Sequence, residues 1–361
     1  MVKLEAVRAS NSSLVQRQPL VAVFFGGTGG IGSYTIRELA SAEAKNGGKG
    51  LRAYVIGRNA KSAEEIIADC RRICPKGEFR FIKAGDLSLI KEVDRLCEEV
   101  KKAEEEYGSD GRIDYLMVSQ GGIPYLPRKG SVTDSSEGID VTMSLMYYSR
   151  MRIITKLLPL LLKSQLPATV VSVYAAGAED KLYQDDLSLR NLKIYTYNYA
   201  RSHMCYMHTL FFEALSQQYP GKLSLIHIFP GLVPGPGFHN PELPLWFRIL
   251  FHYIMLPLFG RWITMKPEES GQRMLNLATG QHPPGQASVS PAKTSTSTSD
   301  ALVTGTDGKP GSGVYSLTWS GESNYPVKKY ETLDKEELRK KVWEHTTKAF
   351  SVIEKGGVFT E

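Results

Sequence analysis

The chain has 361 residues, 42% hydrophobic and 23% charged, with 44 basic against 38 acidic side chains and a net charge of +6. That balance excludes a collagenous, wholly disordered or coiled-coil chain and is ample for a sizeable core. The basic residues are spread along the chain, so nucleic acid is not an expected partner, whereas an anionic small molecule suits the charge.

Residues 1–17 are polar, carry no apolar run of signal-peptide length, and read as a flexible tail. Six short apolar runs then recur: 20–25, 51–57, 79–83, 113–118, 169–174 and 223–229. They are rich in β-branched and aromatic residues, as buried parallel strands should be. Amphipathic helical patterns fill the gaps, over Ala60 to Cys74, 87–107 and Tyr199 to Leu215. In the second of these, Ile90, Val93, Leu96, Cys97, Val100 and Ala103 recur at threes and fours. Strand and helix alternating at this spacing predict an α/β fold with a doubly wound parallel sheet.

Toward the C-terminus, Leu243 to Ile263 is strongly apolar but holds Arg248, His252 and Arg261. It does not read as a membrane span; it would cover an apolar pocket or lie on a membrane surface. Residues 281–312 are rich in Ser, Thr, Pro and Gly and read as a disordered surface insertion. A last strand over 314–321 and a helix over 333–353 follow, the latter with Trp343 and His345 as packing residues. The expectation is a single domain over 18–361 in a cytoplasmic protein. The four cysteines form no disulfide framework, and Cys70 with Cys74 reads as two thiols on one helix face rather than a metal site.

The first strand runs into Gly26-Gly27-Thr28-Gly29-Gly30-Ile31-Gly32, followed by a helical pattern. Such a turn needs positive φ and lets the backbone approach a pyrophosphate, which the helix N-terminus attracts through its free N–H groups and dipole. The second strand ends in Gly57-Arg58-Asn59, with no acid to grip a ribose hydroxyl. Arg58 can instead pair with a 2′-phosphate, which favours NADP(H) over NAD(H), and Asn59 beside it is expected to join the cofactor site.

The G-x-x-x-G-x-G spacing of Gly26, Gly30 and Gly32 resembles the phosphate loop of the short-chain dehydrogenase/reductase family, with Phe25 where that family usually has Thr. Further matches follow in the family's order. Asp86-Leu87 resembles its adenine-edge Asp, and Val118-Ser119-Gln120-Gly121 stands where the family has an Asn-Asn-Ala-Gly run. Pro230-Gly231-Leu232-Val233 resembles its loop beside the nicotinamide. The resemblance implies a Rossmann-like fold. It also implies chemistry by Ser, Tyr and Lys with a helical Asn.

Here the chain departs from that set. The segment Tyr195 to His203 places Tyr197 at the tyrosine position and Arg201 at the lysine position, four residues on and on the same helix face. Arginine supplies the cation but does not relay a proton. Tyr199 with His203 is a second pair at the same spacing. The serine position matches Ala175, with Ser172 three residues early and Tyr174 as a substitute hydrogen-bond donor. The asparagine position falls near Met146.

The wording of the chain resembles a fungal branch of the family, which implies a tailoring enzyme of secondary metabolism. After Gly235, residues 235–280 are expected to form a substrate lid, and their aromatic content implies a bulky hydrophobic substrate. The expected function is NADP(H)-dependent reduction of a ketone, or oxidation of a secondary alcohol. The alternative is a non-redox protein of the same fold. The family's habit also implies a homo-oligomer.

Overall fold

The computed structural model describes residues 2–121, 134–191, 193–235, 245–285 and 302–361. Seven parallel strands form one sheet in the order β3-β2-β1-β4-β5-β6-β7. They are β1 (Leu20–Phe25), β2 (Leu51–Gly57), β3 (Glu78–Lys83), β4 (Tyr115–Val118), β5 (Ala168–Val173), β6 (Leu223–Ile228) and β7 (Val314–Leu317). Every residue of β1, β4, β5, β6 and β7 is buried, as helices on both faces require.

One face carries α1 (Leu4–Arg17), α2 (Gly30–Lys45), α3 (Ala60–Ile73) and, much later in the chain, α10 (Pro267–Asn276). The other carries α4 (Ile90–Glu105), α6 (Ser149–Leu161), α7 (Tyr197–Gln218) and α12 (Lys335–Glu354). Each buried Leu, Ile, Val or Phe in these two cores contributes roughly 1.5–3 kcal/mol by leaving water. A short α5 (Val141–Met143) leads through a wide turn over Ser144–Tyr148 into α6. Two further short helices, α8 (Leu245–Ile249) and α9 (Leu256–Ile263), precede α10, and α11 (Val327–Tyr330) precedes α12.

Three expectations are corrected. The flexible tail expected over 1–17 is helical from Leu4. Val7, Leu14 and Val15 are buried, and Asn11 donates to the Gln272 carbonyl at 2.9 Å and to its Oε1 at 2.7 Å. The buried asparagine hides the apolar stripe from a reading by hydrophobicity. Within the expected insertion, 286–301 lie outside the described residues, but 302–312 hold a hairpin closed by a Thr304–Pro310 bridge. There Thr306 is buried and its carbonyl accepts from Lys335. Within the expected lid, Pro267–Asn276 packs on α2 and belongs to the core.

All four cysteines are free and buried. The last strand stops four residues early because the chain turns back at Thr318, whose N–H donates to the Glu322 carbonyl. Among the described residues no helix is long and apolar enough to cross a membrane.

The strand order reverses between β1 and β4, which opens a crevice at their C-terminal ends. The glycine turn, the β4 end and the β5 end all arrive there.

Candidate active site

The glycine turn is shaped by crowding. Gly26 has φ +84°, and a Cβ on it would stand 2.7 Å from the Gln120 nitrogen and 2.8 Å from the Ser119 carbonyl carbon. A Cβ on Gly32 would stand 2.5 Å from the Gly26 oxygen. The N–H groups of Gly26 and Gly27 both donate to the Ile56 carbonyl at 3.0 Å, which ties the turn to the end of β2. Helix α2 then starts at Gly30 with no side-chain cap and no acid in its first turn. Ile31 in that turn is half-buried. These features fit a bound diphosphate: a close backbone, free helix N–H groups and no competing negative charge.

At the end of β2, Thr28 lies against Gly57, where a Cβ would meet its Oγ1 at 2.3 Å. Arg58 is exposed and has no hydrogen bond or ion pair among the described residues. Asn59 is taken up by local structure, its Oδ1 capping α3 by accepting from the Ser62 N–H at 3.1 Å. Asp86 is exposed, with Oδ1 accepting from the Ser88 N–H and hydroxyl, while Leu87 packs in the core. The sequence reading offered Asn59, Asp86 and Leu87 to the cofactor. Here Asn59 Oδ1 and Asp86 Oδ1 serve the backbone and Leu87 the core.

At the end of β4, the Ser119 N–H and Oγ both donate to the Phe25 carbonyl. The Gln120 side chain is turned away from the crevice. It is buried and donates to Ser149 Oγ at 3.2 Å, so this residue meets the crevice through its backbone. Beside Gly121 stands Met146, whose Cε would lie 3.0 Å from an added Cβ. The loop after β6 crosses the glycine turn: the Tyr34 hydroxyl donates to the Pro234 carbonyl at 2.8 Å, and a Cβ on Gly235 would stand 3.4 Å from Gly30 Cα. In that loop Pro230 is half-buried and Val233 buried, while Gly231 has φ +72° and packs on Trp319.

The residues expected to be catalytic lie on the first two turns of α7. Thr196 caps the helix, its Oγ1 accepting from the Tyr199 N–H. Tyr197, Arg201 and Cys205 follow at steps of four on one face, and Cys205 Sγ donates to the Ala175 carbonyl at 3.1 Å. That face therefore opposes the end of β5, where Tyr174 and Ala175 lie. The Tyr174 phenol is held well above its ordinary pKa, first by burial, then by the Tyr197 phenol and the Cys205 thiol. Arg150 and Arg201 pull it the other way. Two tyrosines and two guanidinium groups thus lie near enough to act on one another electrostatically. The Tyr174 hydroxyl is buried and has no hydrogen-bond partner among the described residues.

The second i, i+4 pair is not a catalytic one. His203 Nδ1 accepts from the Tyr183 N–H at 3.2 Å, and Nε2 meets the Leu187 carbonyl at 3.1 Å. Both ring nitrogens serve backbone, and burial pushes the imidazole pKa down to about 4. Tyr199 turns outward to Lys181.

Ser172 is equally committed. It accepts from Arg150 Nη1 at 3.0 Å and pairs with His208 Nε2 at 3.2 Å, while His208 Nδ1 meets the Met204 carbonyl at 2.8 Å. The His208 ring stacks on His227 at 4.5 Å, and both stack on Tyr174. His227 Nε2 accepts the Ala175 N–H at 3.2 Å.

Sequence reasoning missed Arg150. It is almost wholly buried, and its guanidinium has no carboxylate partner among the described residues. It donates to the carbonyls of Gln120 at 2.6 Å and Val173 at 2.8 Å, besides Ser172. It therefore ties together the ends of β4 and β5. Its spacing of four from Met146 within an apolar helix was the available signal. His345 is a packing residue, bonded to the Tyr148 hydroxyl at 2.8 Å.

A parallel sheet wound on both faces, with a glycine turn at the switch point and a Tyr-x-x-x-Arg helix facing the β5 end, defines a nucleotide-dependent dehydrogenase/reductase architecture. The family model for short chain dehydrogenases matches residues 20–183. The "Short-chain dehydrogenase/reductase SAT2" of Stachybotrys chartarum is 40% identical over 360 residues, covering 98% of both chains. "Oxidoreductase AN1596" of Emericella nidulans is 33% identical over 348 residues, covering 96% of this chain and 97% of the other. A solved NADPH-dependent 3-quinuclidinone reductase from Rhodotorula rubra shares the fold with a TM-score of 0.51 at 18% identity, over 74% of this chain and 88% of the other. The chain is an enzyme of the short-chain dehydrogenase/reductase family, with fungal relatives that span its whole length.

Proposed function

We propose that this enzyme is an NADP(H)-dependent oxidoreductase that reduces a ketone, or oxidises a secondary alcohol, on a bulky apolar metabolite. The carrying observation is the Tyr197–Arg201 face of α7 set against Tyr174 and Ala175, beside the glycine turn. Gly26, Thr28, Gly30, Ile31 and Gly32 would hold the diphosphate, and Arg58 the 2′-phosphate. Asp86, Ser119 and Gly121 would flank the adenine and ribose. Pro230, Gly231 and Val233 would flank the nicotinamide, which supplies the hydride when bound.

Tyr197 donates its phenolic proton to the carbonyl oxygen in the reducing direction and recovers it in the other. Arg201 stabilises the phenolate by its fixed charge and hydrogen-bonds the ribose. It cannot pass a proton on, so Tyr197 is reprotonated by water. Ala175 offers no hydroxyl, and the Tyr174 hydroxyl takes the role of second donor to the substrate oxygen. The similarity to fungal oxidoreductases supports a tailoring step in secondary metabolism, on an apolar polyketide-, terpenoid- or steroid-like substrate. The second reading is a non-redox enzyme or binding protein that retains the nucleotide site. Ala175 and Met146, at the serine and asparagine positions, favour it.

Loss of reduced-nicotinamide absorbance with a panel of bulky apolar ketones separates the two. The oxidoreductase reading requires NADPH consumption by the wild type that Tyr197→Phe suppresses. Tight NADPH binding without consumption in either reaction direction would establish the second reading.

A further inference from the structure

We propose that the segment Leu245–Ile263 docks the enzyme on an anionic lipid bilayer, lying in its surface without crossing it. Of the eleven large apolar side chains exposed among the described residues, six fall within these nineteen positions. Leu245, Trp246 and Leu258 are each 61–67% exposed and Tyr253 is 78% exposed, with Ile249 and Leu250 beside them. The other five are scattered singly over the chain. A cluster of this kind on a globular surface marks a contact, whereas single exposed residues do not.

The exposure follows one face. Residues 245, 246, 249, 250 and 253 recur at helical spacing, while Phe251 between them is buried. The wide turn over Leu250–Met255 joins α8 to α9, and these turns pack chiefly on one another. A tryptophan and a tyrosine among leucine and isoleucine suit the boundary between headgroups and acyl chains.

Charge selects the occupant. From residue 243 to 267 the chain carries Arg248, Arg261 and Lys266 and no acid. The acids that follow are already engaged: Glu268 by Arg8 at 2.6 Å and Glu269 by Arg273 at 2.8 Å. A segment with three cations and no acid complements anionic headgroups, each cation near the surface strengthening attachment about fivefold. A second copy of the chain is the poorer partner, because a two-fold contact would bring like charges together with no acid in the segment to offset them. The segment follows the loop over the glycine turn, so docking places that end of the sheet at the bilayer. An apolar compound dissolved in the lipid is concentrated there.

The test uses the full chain and vesicles of phosphatidylcholine with or without phosphatidylserine. Co-sedimentation should be at least about fivefold greater with the anionic vesicles and should fall in high salt. Ile249→Asp with Tyr253→Asp should abolish it while leaving the far-ultraviolet dichroism and Tm unchanged. As a milder probe, brominated acyl chains should quench tryptophan emission in the wild type, and Trp246→Phe should lose part of that quenching while still sedimenting. Equal sedimentation of wild type and double variant, absence of binding to both vesicles, or a dimer in free solution that the double variant splits would each overturn the proposal.

Discussion

Arg150 Nη2 donates to the Gln120 carbonyl at 2.6 Å, and with Nη1 on Val173 it joins the β4 and β5 ends beside the Tyr174 ring. Burial lowers its pKa to about 10, so it remains a cation at neutral pH. A buried charge costs desolvation, but here three acceptors depend on it. Replacing it by Met would relieve the charge and strand two carbonyls and Ser172. At roughly 1–3 kcal/mol for each stranded group the second effect wins. Arg150→Met should lower unfolding stability by about 2–4 kcal/mol in urea titration. An unchanged midpoint would show that the strand ends need no tie.

The proposed division of the proton chemistry between Tyr197 and Arg201 is open to test. Tyr197→Phe should cut kcat by about 10²–10⁴ with little change in Kd for NADPH. Arg201→Met removes a cation that favours the phenolate, so the phenol pKa rises. In the oxidation direction, where the phenolate is the base, the rise of kcat/KM with pH should move to higher pH. Arg201→Lys should restore it. A pH profile that does not move in Arg201→Met would remove Arg201 from this role.

The buried histidines make the fold sensitive to acid. Burial pushes His203, His282 and His345 down to about 4 and His208 to about 3. The unfolded chain therefore binds protons between about pH 6.5 and 4 that the folded chain refuses, so stability falls as pH drops through that window. Each contributes about 2 kcal/mol of loss by pH 5. Glu38, Glu43 and Glu179 shift the opposite way through burial and offset part of it. Unfolding free energy should drop steeply from about pH 7 to pH 5. A flat profile there would mean that these rings gain protons without loss of packing.

The strands were legible because each is a short run of β-branched and aromatic residues buried on both faces. The glycine turn was legible because sterics leave few alternatives at Gly26 and Gly32. Helix α1 was not, since its stripe of Val7, Leu14 and Val15 is interrupted by Asn11, whose polarity is satisfied by Gln272 and Asn276, 261 and 265 residues away. The same holds for Arg150, a charge that reads as surface until its carbonyl acceptors on two other strands are known. Tyr197 and Tyr199 look alike along the helix, and what separates them is tertiary: both ring nitrogens of His203 serve backbone and Tyr199 meets Lys181.

The Asn11 contact gives its own test. Asn11→Ala leaves the Gln272 carbonyl and side chain short of a donor in a buried site. It should cost about 1–3 kcal/mol and lower Tm. No change in Tm would mean that α1 does not contribute to the stability of the sheet.

Arg58 is proposed to hold the 2′-phosphate, and calorimetric titration with NADPH and NADH, on the wild type and on Arg58→Ala, tests that role most directly. The wild type should bind NADPH tightly and NADH at least about tenfold more weakly, and Arg58→Ala should lose about 1.5–3 kcal/mol toward NADPH alone. Absence of binding by either nucleotide, or equal affinity for both in the wild type, would contradict it.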